Sequence, residues 1–363
     1  MNGGAGGYKF GVPGSYYNVM GGYQVSKYGV DVTWETAKKF NFGIDLNLFN
    51  DLLSLNVDIF KERREDIFLS RGTIPQFVGL SGSIVGNLGV VDNHGFEVNA
   101  DFNKQFGKWR LGLKGTFSYN KNKIVEDDSP VKPYAWMERR GTIVGQQYGF
   151  ICDGFYTQED IDNPDVAKTA EPVLAGDLKY RDLNDDKIID DYDKTYIGQG
   201  SIPRFTYGFG TTLSYKGFSL GAFFQGVGKN DIYVNGAFVP FKNGTAKGNL
   251  LSNITDRWTE ANPRQDAFYP RLNYASDNNK NYATSTHWIV NGAYLRLKTL
   301  DFGYTFPAAM TQKLGLSNLR VYALLSNVLT FSSFDLWDPE LGNGSGTTYP
   351  NIATYSLGLS FQF

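Results

Sequence analysis

The chain has 363 residues, of which 15% are aromatic, although the hydrophobic fraction is only 41%. No run of about 18 apolar residues occurs, so no transmembrane helix is expected. The formal net charge of -2 gives no reason to expect a nucleic-acid partner. Abundant glycine and aromatic residues, with prolines between short apolar stretches, instead predict many short strands.

Period-2 alternation is the main signal in the first part of the chain, and it predicts strands with one apolar face. Four such segments come first, at 40–48, 53–59, 96–102 and 109–119. Residues 205–215 and 218–225 alternate in the same way, although Phe223 breaks the polar face of the second segment.

The last third of the chain contains three more alternating segments, at 294–304, 319–325 and 355–363. The apolar face of the first changes phase between Leu297 and Leu300, and one extra residue near Thr299 would explain this as a β-bulge. The last segment alternates up to the terminal residue, Phe363.

The connections between these roughly nine strands alternate in length, which is typical of outer-membrane β-barrels. Short connections lie at 49–51, 104–108, around 216 and at 306–317, and long ones at about 68–92, 124–202, 228–290 and 332–351. In such barrels the short turns are periplasmic and the long loops are extracellular. A soluble β-sandwich is the alternative, but its loops do not sort so strictly by length.

We therefore predict an all-β fold, namely part of a transmembrane antiparallel β-barrel with long extracellular loops, in the outer membrane. Residues 1–34 are expected to be the remnant of an extracellular loop or strand, and residues 35–363 the C-terminal part of the barrel. An odd strand number does not close the usual even-numbered bacterial barrel. The start, MNGGAGGYKFGVPGSYYNV, has no charged and no apolar region of a signal peptide. We expect the chain to be a fragment of a longer protein.

Several segments resemble the TonB-dependent transporters of the SusC/RagA type from Bacteroidetes. They are VTWETAKKFNFGIDLNLFNDLLSLNVDIFKERREDIF, GNLGVVDNHGFEVNADF, GDLKYRDLNDDKIIDDYDKTYIG, PRFTYGFGTTLSYKGFSLGAFFQGVGKNDIY, AYLRLKTLDFGYTFP and LRVYALLSNVLTFSSFDLWDPE. The resemblance extends from about Asp31 to the terminal phenylalanine, and the order and spacing of the segments make it specific.

The resemblance implies a 22-stranded barrel plugged by an N-terminal domain. It also implies import of glycans or peptides, energised through TonB, with a SusD-type surface lipoprotein as a cap and outer-membrane lipids around the barrel. About nine of the 22 strands are present here, and no plug, TonB box or signal peptide is recognised.

One segment, at 182–193, has the ligand spacing of an EF-hand calcium loop. Oxygen side chains fall at positions 1, 3, 5, 9 and 12, and position 7 would offer a backbone carbonyl: Asp182, Asn184, Asp186, Asp190, Asp193 and Ile188. Lys187 stands where the loop prefers glycine, and position 12 is aspartate rather than glutamate. The alternatives are a structural calcium site and an acidic, solvated turn.

The residues that contact substrate cannot be named from the sequence. Residues 124–201 contain 17 acidic and 8 basic residues, a formal -9 that suits an exposed loop. Arg139 and Arg140 either bind anions or are solvated. Aromatic residues of the long connections either stack on sugar rings or, as we favour, pack the loops: Tyr134, Trp136, Tyr148, Phe155, Tyr156, Trp258, Phe268, Tyr269 and Trp337.

The single cysteine and the two histidines give little support to a catalytic or metal-binding function. Cys152 is the only cysteine, so no intramolecular disulfide forms, and we interpret it as a packed or loop thiol. His94 and His287 have no metal-ligand spacing and no nucleophile motif nearby, so neither zinc nor an enzyme is expected. Nutrient import is the leading hypothesis. A passive porin or structural barrel and a siderophore receptor are the alternatives.

Overall fold

The computed structural model describes residues 32–75, 84–239, 250–273, 280–343 and 346–363. It also gives the backbone of short paired strands before residue 32, Asn2–Gly3 with Tyr23–Gln24 and Lys9–Val12 with Ser15–Asn18. Most of the predicted segment 1–34 lies outside the described residues, so its interpretation stays a prediction.

Nine strands of the described chain form one sheet, and each lies next to its neighbours in sequence. They are β1 Thr36–Leu48, β2 Leu53–Ser70, β3 Val85–Phe106, β4 Trp109–Glu126, β5 Phe205–Tyr215, β6 Phe218–Gly228, β7 Tyr294–Thr305, β8 Asn318–Ser332 and β9 Thr354–Gln362. Every pair whose register is described, from β4 to β9, is antiparallel. This confirms the predicted antiparallel all-β fold.

The chain divides into two compact units. The first comprises residues 1–40, 61–93 and 122–142, and the second comprises residues 41–60, 94–121 and 143–363. In the first unit, ion pairs join charged side chains of the strand ends, for example Arg63 to Asp92 at 3.2 Å. The second unit contains the described pairs from β4 to β9 and the connections from residue 143 onward.

Smaller elements lie in the connections. Three two-stranded ribbons pair Gln147–Phe150 with Lys194–Ile197, Cys152–Phe155 with Leu178–Tyr180, and Asp231–Tyr233 with Ile289–Asn291. The helices are short: α1 Gln158–Asp162 and α2 Ala308–Thr311, with 3-10 turns at Ala135–Met137, Asp191–Asp193, Gly236–Phe238, Ser252–Thr255, Lys280–Tyr282, Thr286–Trp288, Gln312–Leu314 and Pro339–Leu341. In the described chain, none of them is long and apolar enough to span a membrane.

Most apolar side chains of the strands lie on one face of the sheet, and many of them are exposed. Directly opposed residues share a face in an antiparallel pair, and Leu213 lies opposite both Leu111 and Leu220. Phe209, in the middle of β5, is 45% exposed although it stacks on Phe224. An exposed apolar sheet face is what a lipid-facing barrel wall requires, because no water needs to be excluded there.

The connections between strands alternate between short and long, as predicted. Lys216 and Gly217 form a two-residue turn, and both have positive φ values, 46° and 92°. The long connections run from 71 to 84, 127 to 204, 229 to 293 and 333 to 353. β2 and β3 extend further than the apolar alternation does. The additional part of β2 contains the charged run 61–66, so the apolar alternation ends there although the strand continues.

The predicted bulge in β7 is confirmed. Phe223 pairs with Thr299 and Phe224 pairs with Leu297, so Lys298 is the extra residue on this strand. The bulge returns Leu297 and Leu300 to the same face, which keeps the apolar surface continuous.

Candidate functional site

The long connections of the second unit fold around two buried clusters, and these clusters are the largest apolar core in the described residues. Cluster A consists of Phe150, Phe155, Leu178, Tyr180, Ile189, Trp258 and Ala267. Cluster B consists of Ile232, Val234, Val239, Tyr269, Trp288 and Phe334. Each cluster contains residues from more than one connection, so the loops pack together into one ordered body, which we call the loop body.

A buried polar group fixes three of these segments to one another. Asp177 accepts hydrogen bonds from Arg271 Nε at 3.1 Å and from Asn281 Nδ2 at 2.9 Å. The side-chain oxygen of Asn281 accepts from the backbone N–H of Leu178 at 2.7 Å. A buried polar group without a hydrogen-bond partner destabilises the fold. Replacing any one of these side chains would therefore leave the others unpaired and lower the stability of the loops.

A second ionic group anchors the last long connection to β7. Arg296, which is 2% exposed, donates to Glu340 at 2.8 Å and also pairs with Asp338. Lys298, the bulge residue, donates to the same Glu340 carboxylate at 2.8 Å. Burial is the largest influence and acts to raise the pKa of Asp338. The hydrogen bonds from Arg296 and from the backbone, together with the positive charge of Arg296, outweigh it, so the pKa lies below its usual range.

The structure divides the aromatic residues of the connections into two groups. Phe155, Tyr156, Trp258 and Tyr269 are buried, each at most 5% exposed, and Phe268 and Trp337 pack against cluster B. These six rings therefore serve loop packing, the interpretation that the sequence favoured.

Three of the aromatic residues remain half-exposed. In the first unit, Tyr134 and Trp136 stack with ring centroids 4.4 Å apart. In the second unit, Tyr148 lies 4.9 Å from Tyr196, its partner across the ribbon. Tyr196 was missed from the sequence, because its proximity to Tyr148 depends on pairing between segments nearly fifty residues apart. Among the aromatic residues named from the sequence, Tyr134, Trp136 and Tyr148 are the ones that a ligand can reach.

Arg139 and Arg140, in the first unit, have carboxylate partners. Arg139 pairs with Asp127 at 3.3 Å, and Arg140 pairs with Glu138 at 3.0 Å. The hydrogen bond from Arg140 lowers the pKa of Glu138. Paired guanidinium groups of this kind favour a structural role over capture of an anion.

The acidic loop at 182–193 is held by hydrogen bonds from its own backbone. Asp182 accepts from the N–H groups of Asp185 at 2.8 Å and Lys187 at 2.7 Å. Lys187 has a φ of 66°, so it adopts the left-handed turn for which the calcium loop prefers glycine. Ile188 is exposed, and its neighbour Ile189 inserts into cluster A.

Asp193 closes the loop from the inside. Its two oxygens accept from Leu183 N–H at 2.7 Å and Asp190 N–H at 2.8 Å, and burial raises its pKa. The side chain of Asn184 donates to Asp186 at 2.8 Å. Among the described residues no group of three or more His, Cys, Asp or Glu side chains is arranged to hold a metal ion. Calcium binding therefore stays a prediction.

Cys152 and His287 lie within the loop body. Burial raises the pKa of the Cys152 thiol to about 11, so the thiol stays protonated. Burial also lowers the pKa of His287 to about 4, and its Nε2 lies 3.0 Å from the Phe268 carbonyl oxygen. The neutral ring packs edge-on against Trp288, with centroids 4.8 Å apart. His94 is exposed on β3.

The family described as TonB dependent receptor-like, beta-barrel matches residues 5–319 of this chain. The chain belongs to this family. TonB-dependent receptor P3 of Formosa agariphila is 28% identical over 96% of the chain. TonB-dependent receptor SusC of Bacteroides thetaiotaomicron is 25% identical over 92% of it. The RagAB peptide importer in its open-open state superposes with a TM-score of 0.70 at 24% identity, covering 92% of the chain.

These matches confirm the resemblance to the SusC/RagA type and the assignment of this TonB-dependent receptor barrel to the outer membrane. The chain spans 37% of the length of receptor P3, 32% of SusC and 35% of the RagAB chain. The matched proteins are named as receptors, importers and transporters, and none of these names denotes an enzyme.

Proposed function

We propose that the chain forms part of the wall and the extracellular loops of a TonB-energised outer-membrane importer for a glycan or a peptide. This proposal rests on the two different environments of the apolar residues in the second unit. They are exposed on one sheet face, where lipid replaces water, and buried in the loops, where they fix a large ordered body above the wall.

An ordered loop body favours recognition over passive diffusion. Four features hold the connections in place. They are the buried clusters A and B, the hydrogen-bonded group around Asp177 and the ionic group around Arg296. A passive pore needs a polar lumen but no such body outside the sheet. The half-exposed rings of Tyr148 and Tyr196, tilted by 50° to each other, supply aromatic faces of the kind that stack on sugar rings or on peptide side chains.

The partners follow from the same proposal. SusC and RagAB support a surface lipoprotein of the SusD type as the cap over these loops, and TonB as the source of energy for the whole receptor. RagAB is named as a peptide importer. This supports a peptide, and the likeness to SusC keeps a glycan open.

The test is growth of the native host with its receptor gene deleted and then restored, on defined glycans and defined peptides as sole nutrients. We expect restored growth on one of these classes, and no growth when TonB is inactivated. A Tyr148→Ala/Tyr196→Ala variant should raise the nutrient concentration needed for half-maximal growth about tenfold, the loss of roughly 1.4 kcal/mol of binding. Tyr192→Ala, an exposed tyrosine of the same connection, is the matched control.

Two results would overturn the proposal. Uptake that persists without TonB would identify a passive porin. Growth that depends on the receptor only when iron is supplied as a ferric siderophore would identify the alternative receptor class.

A further inference from the structure

The ribbon that contains Tyr148 and Tyr196 has one face on which side chains lie in two adjacent rows. Tyr148 lies directly opposite Tyr196, and Phe150 lies directly opposite Lys194. Side chains two positions apart on a strand leave the same face, so the two rows are ~7 Å apart. The tyrosine row is half-exposed, whereas the ring of Phe150 is buried in cluster A. A ligand stacked on the tyrosines therefore lies beside the second row.

Two ammonium groups lie close to the buried ring of Phe150. The Nζ of Lys194 lies 5.3 Å from the centroid of this ring, and the Nζ of Lys280 lies 5.9 Å from it. Lys280 belongs to a 3-10 turn of a different connection, so packing of the loop body brings it to the ribbon. Because each cation packs against an aromatic ring, both are held next to the tyrosine row.

One carboxylate lies among these groups. Lys194 pairs with Asp191 at 2.7 Å, whereas no carboxylate of the described chain lies within ion-pair distance of Lys280. The hydrogen bond from Lys194 is the main cause that lowers the pKa of Asp191, and the charge of Lys280 acts in the same direction. Burial raises the pKa of Tyr148, and the charge of Asp191 adds to this effect. The tyrosine row is therefore bordered by a hydrogen-bond acceptor and by the unneutralised ammonium group of Lys280.

This arrangement combines a stacking surface, a positive charge and a carboxylate at the scale of one sugar unit. A pyranose ring that carries a carboxylate or a sulfate can use all three, because its apolar face stacks on a tyrosine, its anionic group pairs with Lys280 and its hydroxyls donate to Asp191. The anionic group is attached to a rigid ring, so it reaches the second row while the ring stays stacked. An acidic peptide side chain has the charge but no flat face for the tyrosines.

We propose that Tyr148, Tyr196, Asp191 and Lys280 form a subsite for an anionic sugar unit of the imported glycan. The subsite rests on the proposed import function, and it specifies a glycan and the charge of that glycan. Residues 124–201 carry a formal -9, so an anionic ligand depends on this local positive charge. Loss of Lys280 should therefore matter more than loss of a lysine elsewhere.

The experiment measures by calorimetry the binding of matched probes to the intact receptor, purified from outer membranes of its native host. The probes are an oligogalacturonate tetramer, its carboxyl-reduced neutral form, a sulfated derivative of that neutral form and an acidic tetrapeptide. The proteins are the wild type, Lys280→Gln and the control Lys229→Gln. Lys229 lies at the start of the same connection, and its Nζ lies 5.3 Å from the Phe205 ring, so the control removes the same charge and the same kind of ring contact.

We expect the wild type to bind at least one anionic tetrasaccharide about fivefold more tightly than the neutral form, as is expected of a half-exposed charge pair. Lys280→Gln should abolish this preference, and Lys229→Gln should retain it. The anionic probe that binds more tightly identifies the carboxylate or the sulfate as the preferred group. Heat-modifiable gel mobility verifies that each barrel is folded, and Lys280→Met, which keeps the apolar stem over Phe150, replaces Lys280→Gln if that variant does not fold.

Several results would overturn the subsite. They are equal affinity of the wild type for anionic and neutral tetrasaccharides, no binding of any tetrasaccharide, and binding of the acidic tetrapeptide as tightly as the anionic sugars. A preference that survives in Lys280→Gln, or that is lost equally in Lys229→Gln, would also overturn it. None of these results bears on the proposed import function, which is tested separately by the dependence of uptake on TonB.

Discussion

The sheet and the long connections of the second unit use the same apolar residue types in opposite ways. Phe209 in β5 is 45% exposed, whereas Trp288 in the Asp231–Asn291 region is 1% exposed. A soluble protein would bury both, since apolar area removed from water stabilises the fold. The difference shows that the sheet and the connections face different solvents. Lipid takes the place of a core for the sheet, and the connections must build their own core in water.

The largest effect that separates the two regions is expected from truncation of the loop core. Trp288→Ala should leave a cavity in cluster B and destabilise the loop body by about 3–5 kcal/mol. Hydrogen exchange of the amides in residues 280–292 should accelerate accordingly, while the folded barrel band on a gel remains. Phe209→Ala is the control, and it should leave loop exchange unchanged. Equal exchange in both variants would contradict a separate loop core.

A charge placed on the outward face of the sheet should produce the next largest effect. Phe209→Arg puts a guanidinium into hydrocarbon and should reduce the free energy of unfolding in lipid vesicles by about 2–4 kcal/mol. Thr212→Arg, on the opposite face of the same strand, should change it by much less, because that face is polar. If the two variants unfolded at the same denaturant concentration, the assignment of the faces would be wrong.

Acidification should open the connections before it affects the sheet. Burial holds the pKa of His287 at about 4, below the unfolded value of 6.5, so the unfolded loop binds the proton more readily. The stabilisation is complete above pH 6.5 and is lost as the pH falls from about 6.5 to 4, by about 3 kcal/mol. The fluorescence of the tryptophans, Trp288 included, should report this change. His287→Gln should abolish the pH dependence, and a similar pH profile in this variant would exclude His287 as its cause.

The smallest expected effect is that of calcium on the 182–193 loop. If the loop binds calcium, a concentration ten times the Kd should stabilise it by about 1.4 kcal/mol. Calorimetry should show heat for the wild type and for Asp185→Asn, which changes a residue outside the predicted ligands. It should show none for Asp182→Ala/Asp186→Ala. Equal heats in all three proteins would leave only the acidic-turn interpretation.

The strands were predictable because each spans the membrane with one lipid face. Alternation over ten or more residues, as in β4 and β5, leaves a pattern that random apolar placement does not produce. The phase change in β7 even located the bulge to within one residue.

The loop body was not predictable to the same degree. Its ribbons have three or four residues per strand, too few to show a period, and their partners are far apart in the chain. Arg296 and Asp338 are 42 residues apart in the sequence, so no local sequence pattern predicts their ion pair. The aromatic candidates could be named from the sequence, but their burial depends on packing between connections. The acidic loop was recognisable because its spacing is local.

The orientation of β5 tests the central claim most directly. Single cysteines at positions 205–215, in a protein with Cys152→Ser, can carry nitroxide labels whose accessibility to oxygen in lipid and to a water-soluble nickel complex is measured. We predict oxygen accessibility at Tyr207, Phe209 and Leu213 and nickel accessibility at Thr206, Thr212 and Ser214, with a strict period of two. Labels equally accessible to both reagents, or an inverted pattern, would contradict a lipid-facing apolar wall.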